Sequence, residues 1–249
     1  MNEITRYRTV FISDLHIGSR GCNYKKILSF LKSFEADKLV LVGDIIDFWA
    51  LKRKIFWPKG HNDIIHKIFK LSKKGTEVIY IPGNHDEAIR HHIGLTLGSN
   101  IQIYDQHVHI TSEGIKVLCL HGDEFDIIMK NHKVLTFFGD IGYAFIQRIN
   151  PIVSYFRKLL GFKTNWSLSG FLKKKVKERI SLMNRFEQSI RDYSISKGCY
   201  SAIAGHTHIP EVIKMEDDFT YYNSGDWVDS YTAIVEDMDG KLKLIKWEK

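Results

Sequence analysis

Cysteine is scarce in this chain. Cys22, Cys119 and Cys199 are the only three, odd in number and far apart. They form no zinc-type or redox pair, which excludes a small disulfide-stapled scaffold and points to a reducing compartment. Apolar runs are short. None approaches the roughly 20 residues that a helix needs to span a bilayer, so an integral helical membrane protein is excluded. Four prolines and 18 glycines are too few for a collagen-like fibre, and no repeat or low-complexity tract occurs. Met1 to Arg8 is polar, lacks the pattern of a signal peptide and leads into a strand-like segment, so a cytoplasmic location is expected.

What is present is ordinary globular material. A length of 249 residues, 44% hydrophobic and 26% charged, suits one large α/β domain or a domain carrying an insertion. Lysine and arginine number 36 against 29 acidic residues, a net charge of +7. That balance favours a polyanionic or membrane-surface partner, or simply a basic solvated surface.

The first half repeats one rhythm. Thr9–Ser13, Lys38–Val42 and Glu77–Ile81 read as buried strands, each ending in a polar cluster. Tyr24–Phe34 and Asp63–Leu71 between them carry helical apolar spacing. Alternation of this kind predicts a largely parallel central sheet. Beyond residue 100, Ile101–Tyr104, His107–Ile110 and Ile115–Leu120 are short strands that fit a second, more mixed sheet. Strands resume at Tyr200–Ala204, Glu211–Lys214, Phe219–Tyr222, Tyr231–Val235 and Leu242–Trp247. Residues 127–197 differ. Val134, Phe138, Ile141, Phe145, Ile149 and Val153 form a helical stripe, with Lys158, Lys163, Lys173, Lys174, Lys175, Lys177 and Arg179 adding charge. The expected organisation is an α/β domain of residues 1–126 and 198–249 with an inserted helical cap at 127–197.

Five clusters carry the chemistry: Asp14-Leu-His16, Gly43-Asp44-Ile-Ile-Asp47, Gly83-Asn84-His85-Asp86, His121-Gly122-Asp123 and Gly205-His206-Thr207-His208. Open α/β folds place their sites beyond the carboxyl ends of strands, so these clusters can converge. In an extended segment residues i and i+2 point the same way, which lets both ends of Asp-x-His or His-x-His reach one site. Carboxylates, imidazoles and an amide, with no thiolate, suit Mn²⁺, Fe²⁺, Zn²⁺ or Co²⁺. Ligands suffice for two ions, the arrangement used in two-metal phosphoryl chemistry. Asp47 reads either as a supporting acid or as a helix start, and Asp123 either as support for His121 or as the close of a turn. His61, His66, His91, His92, His107, His109 and His132 match no motif and read as surface or satisfied histidines.

The ordered set resembles the calcineurin-like metallophosphoesterase superfamily. That resemblance implies a four-layer α/β/β/α sandwich carrying two divalent ions, Mn²⁺ above all. Asp14, His16, Asp44 and His208 would hold one ion; Asp44, Asn84, His121 and His206 would hold the other, with Asp44 bridging. His85 would contact the scissile phosphate, oriented by Asp86, while Asn84 and His85 stabilise the developing charge. A metal-bridging hydroxide would attack the phosphorus in line.

Asp44-Ile-Ile-Asp-Phe-Trp49, the basic and aromatic cap, His206-Thr-His-Ile-Pro210 and Asn223-Ser-Gly-Asp-Trp227 resemble one branch, the UDP-2,3-diacylglucosamine pyrophosphatases of lipid A synthesis. The implied substrate is a lipid-linked diphosphate, and the cap would touch the inner membrane surface or hold acyl chains. The same stripe equally suits packing on the sandwich. His85 stands where the main branch carries arginine, which leaves another diphosphate or phosphodiester open. Nucleic acid is the less fitting substrate, because the basic residues lie in an apolar, aromatic segment. A scaffold that has lost its ligands is disfavoured, since no motif ligand is missing. Trp49, Trp57, Trp166 and Trp227 read as cleft or packing residues.

Overall fold

The computed structural model describes residues 4–125 and 168–248, with side chains excepted over 168–180. Residues 134–153 of the expected cap stripe, with Lys158, Lys163 and Trp166, lie outside the described residues. Two compact units divide the chain: Met1–Glu124 with Ile190–Lys249, and Phe125–Ser189.

The larger unit is mixed α/β. Its first sheet is built on β1 (Thr5–Ile12), β2 (Phe34–Val42), β3 (Glu77–Ile81) and β5 (Ile101–Ile103), all parallel. The short antiparallel β4 (Thr96–Leu97) closes one edge. On the other side β11 (Thr232–Glu236) and β12 (Leu242–Lys246) add antiparallel strands, giving the order β12-β11-β1-β2-β3-β5-β4. The second sheet places β7 (Lys116–Cys119), β8 (Ser201–Ala204) and β10 (Thr220–Asn223) in parallel. It is flanked by antiparallel β6 (His107–Ile110) and β9 (Glu211–Lys214).

Strand alternation sorts the apolar residues into two cores. Phe11, Val40, Val42, Ile79, Ile81 and Ile234 face the second sheet, where Val117, Cys119 and Ile203 meet them. Their neighbours Val10, Ile12, Leu39, Leu41, Val78 and Tyr80 face the other way. They pack on Ile27, Phe30 and Leu31 of α1 (Tyr24–Lys32) and on Ile64, Ile68 and Leu71 of α3 (Lys59–Lys73). Burying each such side chain contributes about 1.5–3 kcal/mol. Both faces of β1 to β3 are covered, which is why these strands read as continuous apolar runs. Helix α4 (Leu168–Ser196) precedes β8. The architecture is thus two sheets flanked by helices, the class that the sequence implied.

Several boundaries differ from expectation. Helix α1 stops at Lys32, capped by Ser33, and β2 begins at once with Phe34, whose ring joins the core instead of extending the helical face. Ile101–Ile103 pairs with β3 in the first sheet, not in the second. The six-residue α2 (Phe48–Arg53) and β4 were not anticipated, being too short for periodicity to reveal.

Candidate metal centre

The five clusters and one further loop follow the carboxyl ends of β1, β2, β3, β7, β8 and β10. Backbone hydrogen bonds lace them together. The Asp14 amide donates to the Gly43 carbonyl (3.0 Å), His16 to Asp44 (3.0 Å) and Gly205 to His121 (3.2 Å). Asp14, His16, Asp44, His206 and His208 all have positive φ, between 48° and 65°. Non-glycine residues take this conformation at a cost and cluster at functional sites. Gly83 permits the closest approach: a β-carbon there would run into the Asp44 carboxylate and the His121 ring.

The expected ligands converge in two groups, and a third group, His16 with Asp47 and His85, adjoins them. Asp14, His16 and His208 offer ligand atoms within 4.8 Å of one another, and so do Asp44, His121 and His206. His208 Nε2 lies 3.1 Å from Asp14 Oδ1 and 3.3 Å from His16 Nε2. Asp44 Oδ2 stands between the groups, 3.4 Å from His121 Nε2 and 3.9 Å from His16 Nε2. Its other oxygen accepts the His85 amide hydrogen at 2.8 Å. His121 Nδ1 meets the Val42 carbonyl at 2.9 Å, which fixes the ring and turns Nε2 inward.

Three buried atoms lack a hydrogen bond here: Asp14 Oδ1, Asn84 Oδ1 and His121 Nε2. Buried polar atoms of this kind require a partner. A hard-to-borderline divalent cation fits them and the oxygen and imidazole donors around them. The electrostatics point the same way. Burial would push the Asp14 carboxyl up, but the His208 and His16 imidazoles hold it well below the usual carboxylate range. Burial would lower His16, yet Asp14 and Asp47 raise it to about 10. Against burial, Asp44 and Asp14 hold His121 well above its ordinary value. Packed carboxylates thus favour positive charge at this edge.

The expected pairing of Asp86 with His85 is corrected. Asp47 is the partner: its Oδ1 lies 2.9 Å from His85 Nδ1 and also accepts the Ala50 amide hydrogen at 2.7 Å, starting α2. Both readings of Asp47 are therefore realised in one residue. The His85 ring stacks on Trp49, with centroids 4.3 Å apart. Asp86 is fully buried and turned to the backbone. It accepts hydrogens from Gly83 (2.6 Å), Asp44 (3.3 Å), Ile45 (2.8 Å) and Ile46 (3.3 Å), and from the Tyr80 hydroxyl at 2.5 Å. A carboxylate surrounded by amides is satisfied there and has no capacity left for the imidazole.

Asp123 makes no hydrogen bond to His121, whose charged form it favours only through its own charge; it binds Arg90 at 2.7 Å. Trp227 is core, stacked on Phe30, although its amide donates to the Asp14 carbonyl at 3.1 Å. Two contributors escaped the sequence reading. Tyr80 lies inside an apolar strand and carries no motif. Asp226 is buried, faces His208 Nδ1 at 3.7 Å, and accepts the amides of Val228, Asp229 and Ser230. The Gly-Asp-Trp segment was its only signal.

UDP-2,3-diacylglucosamine hydrolase of Aliivibrio fischeri (strain MJ11) is 26% identical, covering 96% of this chain and 98% of that protein. The enzymes of the same name from Neisseria meningitidis serogroup B and Psychromonas ingrahamii are each 25% identical, covering 93% and 96% of this chain and 95% and 96% of theirs. The family model for calcineurin-like phosphoesterases matches residues 7–210, a span that begins in β1 and runs past His208. The strand-end loops and their ligand-rich residues are therefore those of a metal-dependent hydrolase, and the chain belongs to the calcineurin-like phosphoesterase family.

Proposed function

We propose that the chain hydrolyses the diphosphate of UDP-2,3-diacylglucosamine, giving UMP and 2,3-diacylglucosamine 1-phosphate. The observation that carries the reaction type is Asp44 Oδ2 standing between the two ligand groups. The full-length similarity to hydrolases named for that substrate supports the choice of substrate. Asp14, His16, Asp44 and His208 would hold one divalent ion, and Asp44, Asn84, His121 and His206 a second, Mn²⁺ being the species we favour. Bound there, such ions polarise phosphoryl oxygens and lower the pKa of water.

The chain's own residues do the rest. Asp47 fixes the His85 ring from its Nδ1 side and Trp49 supports its face, so Nε2 is directed toward the centre, 3.9 Å from Asp44 Oδ2. From there His85 donates to the phosphate and holds a proton at Nε2 for the departing sugar phosphate. Asp86 and Tyr80 keep the Asp44 loop in its strained form. The cap is proposed to meet the acyl chains and the cytoplasmic face of the membrane.

The test is UMP release from UDP-2,3-diacylglucosamine in detergent micelles by Mn²⁺-loaded protein, with Asp44→Ala alongside. Release by the wild type and none by the variant is the expected result. Cleavage of a generic phosphodiester without UMP release keeps the centre and discards the lipid substrate.

A further inference from the structure

Immediately after Asp47, along α2 and the segment that joins it to α3, the chain makes an unusual surface. From Phe48 to Asn62 it contains Lys52, Arg53, Lys54 and Lys59 and no acidic residue. Within this stretch Ile55 is 82% exposed, more than any other large apolar side chain among the described residues. The exposure does not come from a loose loop. The Lys54 amide donates to the Ala50 carbonyl (3.0 Å), and the Trp57 indole donates to Asn62 (2.8 Å). Phe56 and Trp57 pack edge-on against the buried His61 ring, at centroid separations of 5.8 Å and 5.6 Å. His61 Nδ1 in turn accepts the Gly18 amide hydrogen at 3.1 Å, tying the turn to the β1 loop. The Arg20 guanidinium lies 5.4 Å above the Phe56 ring and brings a fifth cation. None of the five cations forms an ion pair among the described residues.

An isolated exposed isoleucine is unremarkable. One held on a braced turn, ringed by unpaired cations and followed by two half-buried aromatics, has the composition of an interfacial anchor. Its apolar tip suits the acyl boundary and its cations suit anionic headgroups. The turn lies at the same sheet edge as the metal centre, because α2 leads to it from Asp47 and α3 leaves it toward the start of β3. Leu95, half exposed, projects from the same edge: its carbonyl accepts the amide of Ile103 at the carboxyl end of β5.

We infer that the Lys52–Lys59 turn is a docking element for an anionic lipid surface, seating the edge of the sandwich that carries the metal centre on the membrane. The inference concerns the core and not the cap, and it does not depend on which phosphoester is cleaved.

All three native cysteines are buried, so Ile55→Cys can be labelled selectively with a polarity-sensitive fluorophore on the full chain. Adding vesicles of phosphatidylglycerol and phosphatidylethanolamine should shift its emission to the blue; phosphatidylcholine vesicles should not. Neutralising Lys52, Arg53 and Lys54 together, each to glutamine, should weaken partitioning into the anionic vesicles about a hundredfold. Thermal unfolding of that variant should match the wild type. An unshifted label during vesicle binding, or unchanged partitioning of the triple variant, would overturn the proposal in favour of binding through another surface. Binding to duplex DNA that requires these three residues, with no vesicle binding, would equally overturn it.

Discussion

Asp44 is the residue on which the centre turns, and what holds Asp44 is less visible than what surrounds it. Its loop has positive φ, and the compensating contacts come from Asp86 and, behind Asp86, Tyr80. Removing the Tyr80 hydroxyl takes a hydrogen bond from a buried carboxylate. Tyr80→Phe should therefore cost about 2 kcal/mol of stability, read by urea unfolding. Asp226 is the corresponding support for His208. Asp226→Asn keeps an oxygen for the three loop amides but removes the charge facing His208 Nδ1. Metal affinity, measured by calorimetric titration, should fall about 10- to 100-fold while the fold persists. Unchanged affinity would show that His208 orients itself. The motif histidines and aspartates were legible because each stands at a strand end in a recognisable spacing. Tyr80 and Asp226 were not, because a tyrosine in an apolar strand looks like packing and an aspartate in a turn looks like a cap. Asp86 was legible as a member of the site but not in its contacts: the family resemblance implied that it would orient His85, and the chain's fold gave that place to Asp47.

Among the elements, β6 is instructive. Apolarity alone would turn Val108 and Ile110 inward, yet both are exposed and His109 is buried. Glu236 is the reason. Buried on β11, it accepts from Thr9 at 3.0 Å and the Ser112 amide at 2.8 Å, and His109 Nε2 lies 2.8 Å from it. A buried carboxylate without such partners would be far more costly than two exposed aliphatic side chains. Histidines folded in this way confer acid sensitivity. Burial lowers His109 despite Glu236, and burial, helped by Lys38, lowers His107 to about 4. Both stay neutral in the fold while the unfolded chain takes up protons below about pH 6.5. The contribution of His107 is thus complete above pH 6.5 and is lost as the pH falls toward 4, and His109 adds to it in the same direction. The urea midpoint of the wild type should drop between pH 7 and pH 4.5, and His107→Gln should drop less. An equal drop would assign the acid sensitivity elsewhere. Periodicity found the long strands and helices but not their full extent: β1 begins at Thr5 and β2 at Phe34, ahead of the expected Thr9 and Lys38. It failed for α2, which exists because Asp47 caps it, and at the junction of α1 and β2, where one serine separates helix from strand.

At the scale of the whole molecule, the centre lies where two sheets meet. Asp14 and Asp44 follow strands of the first, while His121, His206 and His208 follow strands of the second. Cations bound there would fasten the sheets together and relieve the crowding of carboxylates. At metal concentrations about 100-fold above Kd the gain is about 2.7 kcal/mol. For a chain of this size that corresponds to roughly 5–10 °C in Tm. Chelation with EDTA should lower Tm by that amount and Mn²⁺ should restore it; a Tm indifferent to both would separate the centre from stability. The two-sheet plan itself was readable from the change of rhythm near residue 100. The assignment of Ile101–Ile103 was not, because a three-residue strand carries no mark of the sheet that it will join.

One oxygen of Asp47 meets both the first turn of α2 and the His85 ring. Helix α2 is about 9 Å long, at 1.5 Å per residue, and its far end is the basic turn. The same carboxylate therefore sets both where the helix begins and where the His85 ring aims, so the first turn of α2 and the imidazole share one anchor.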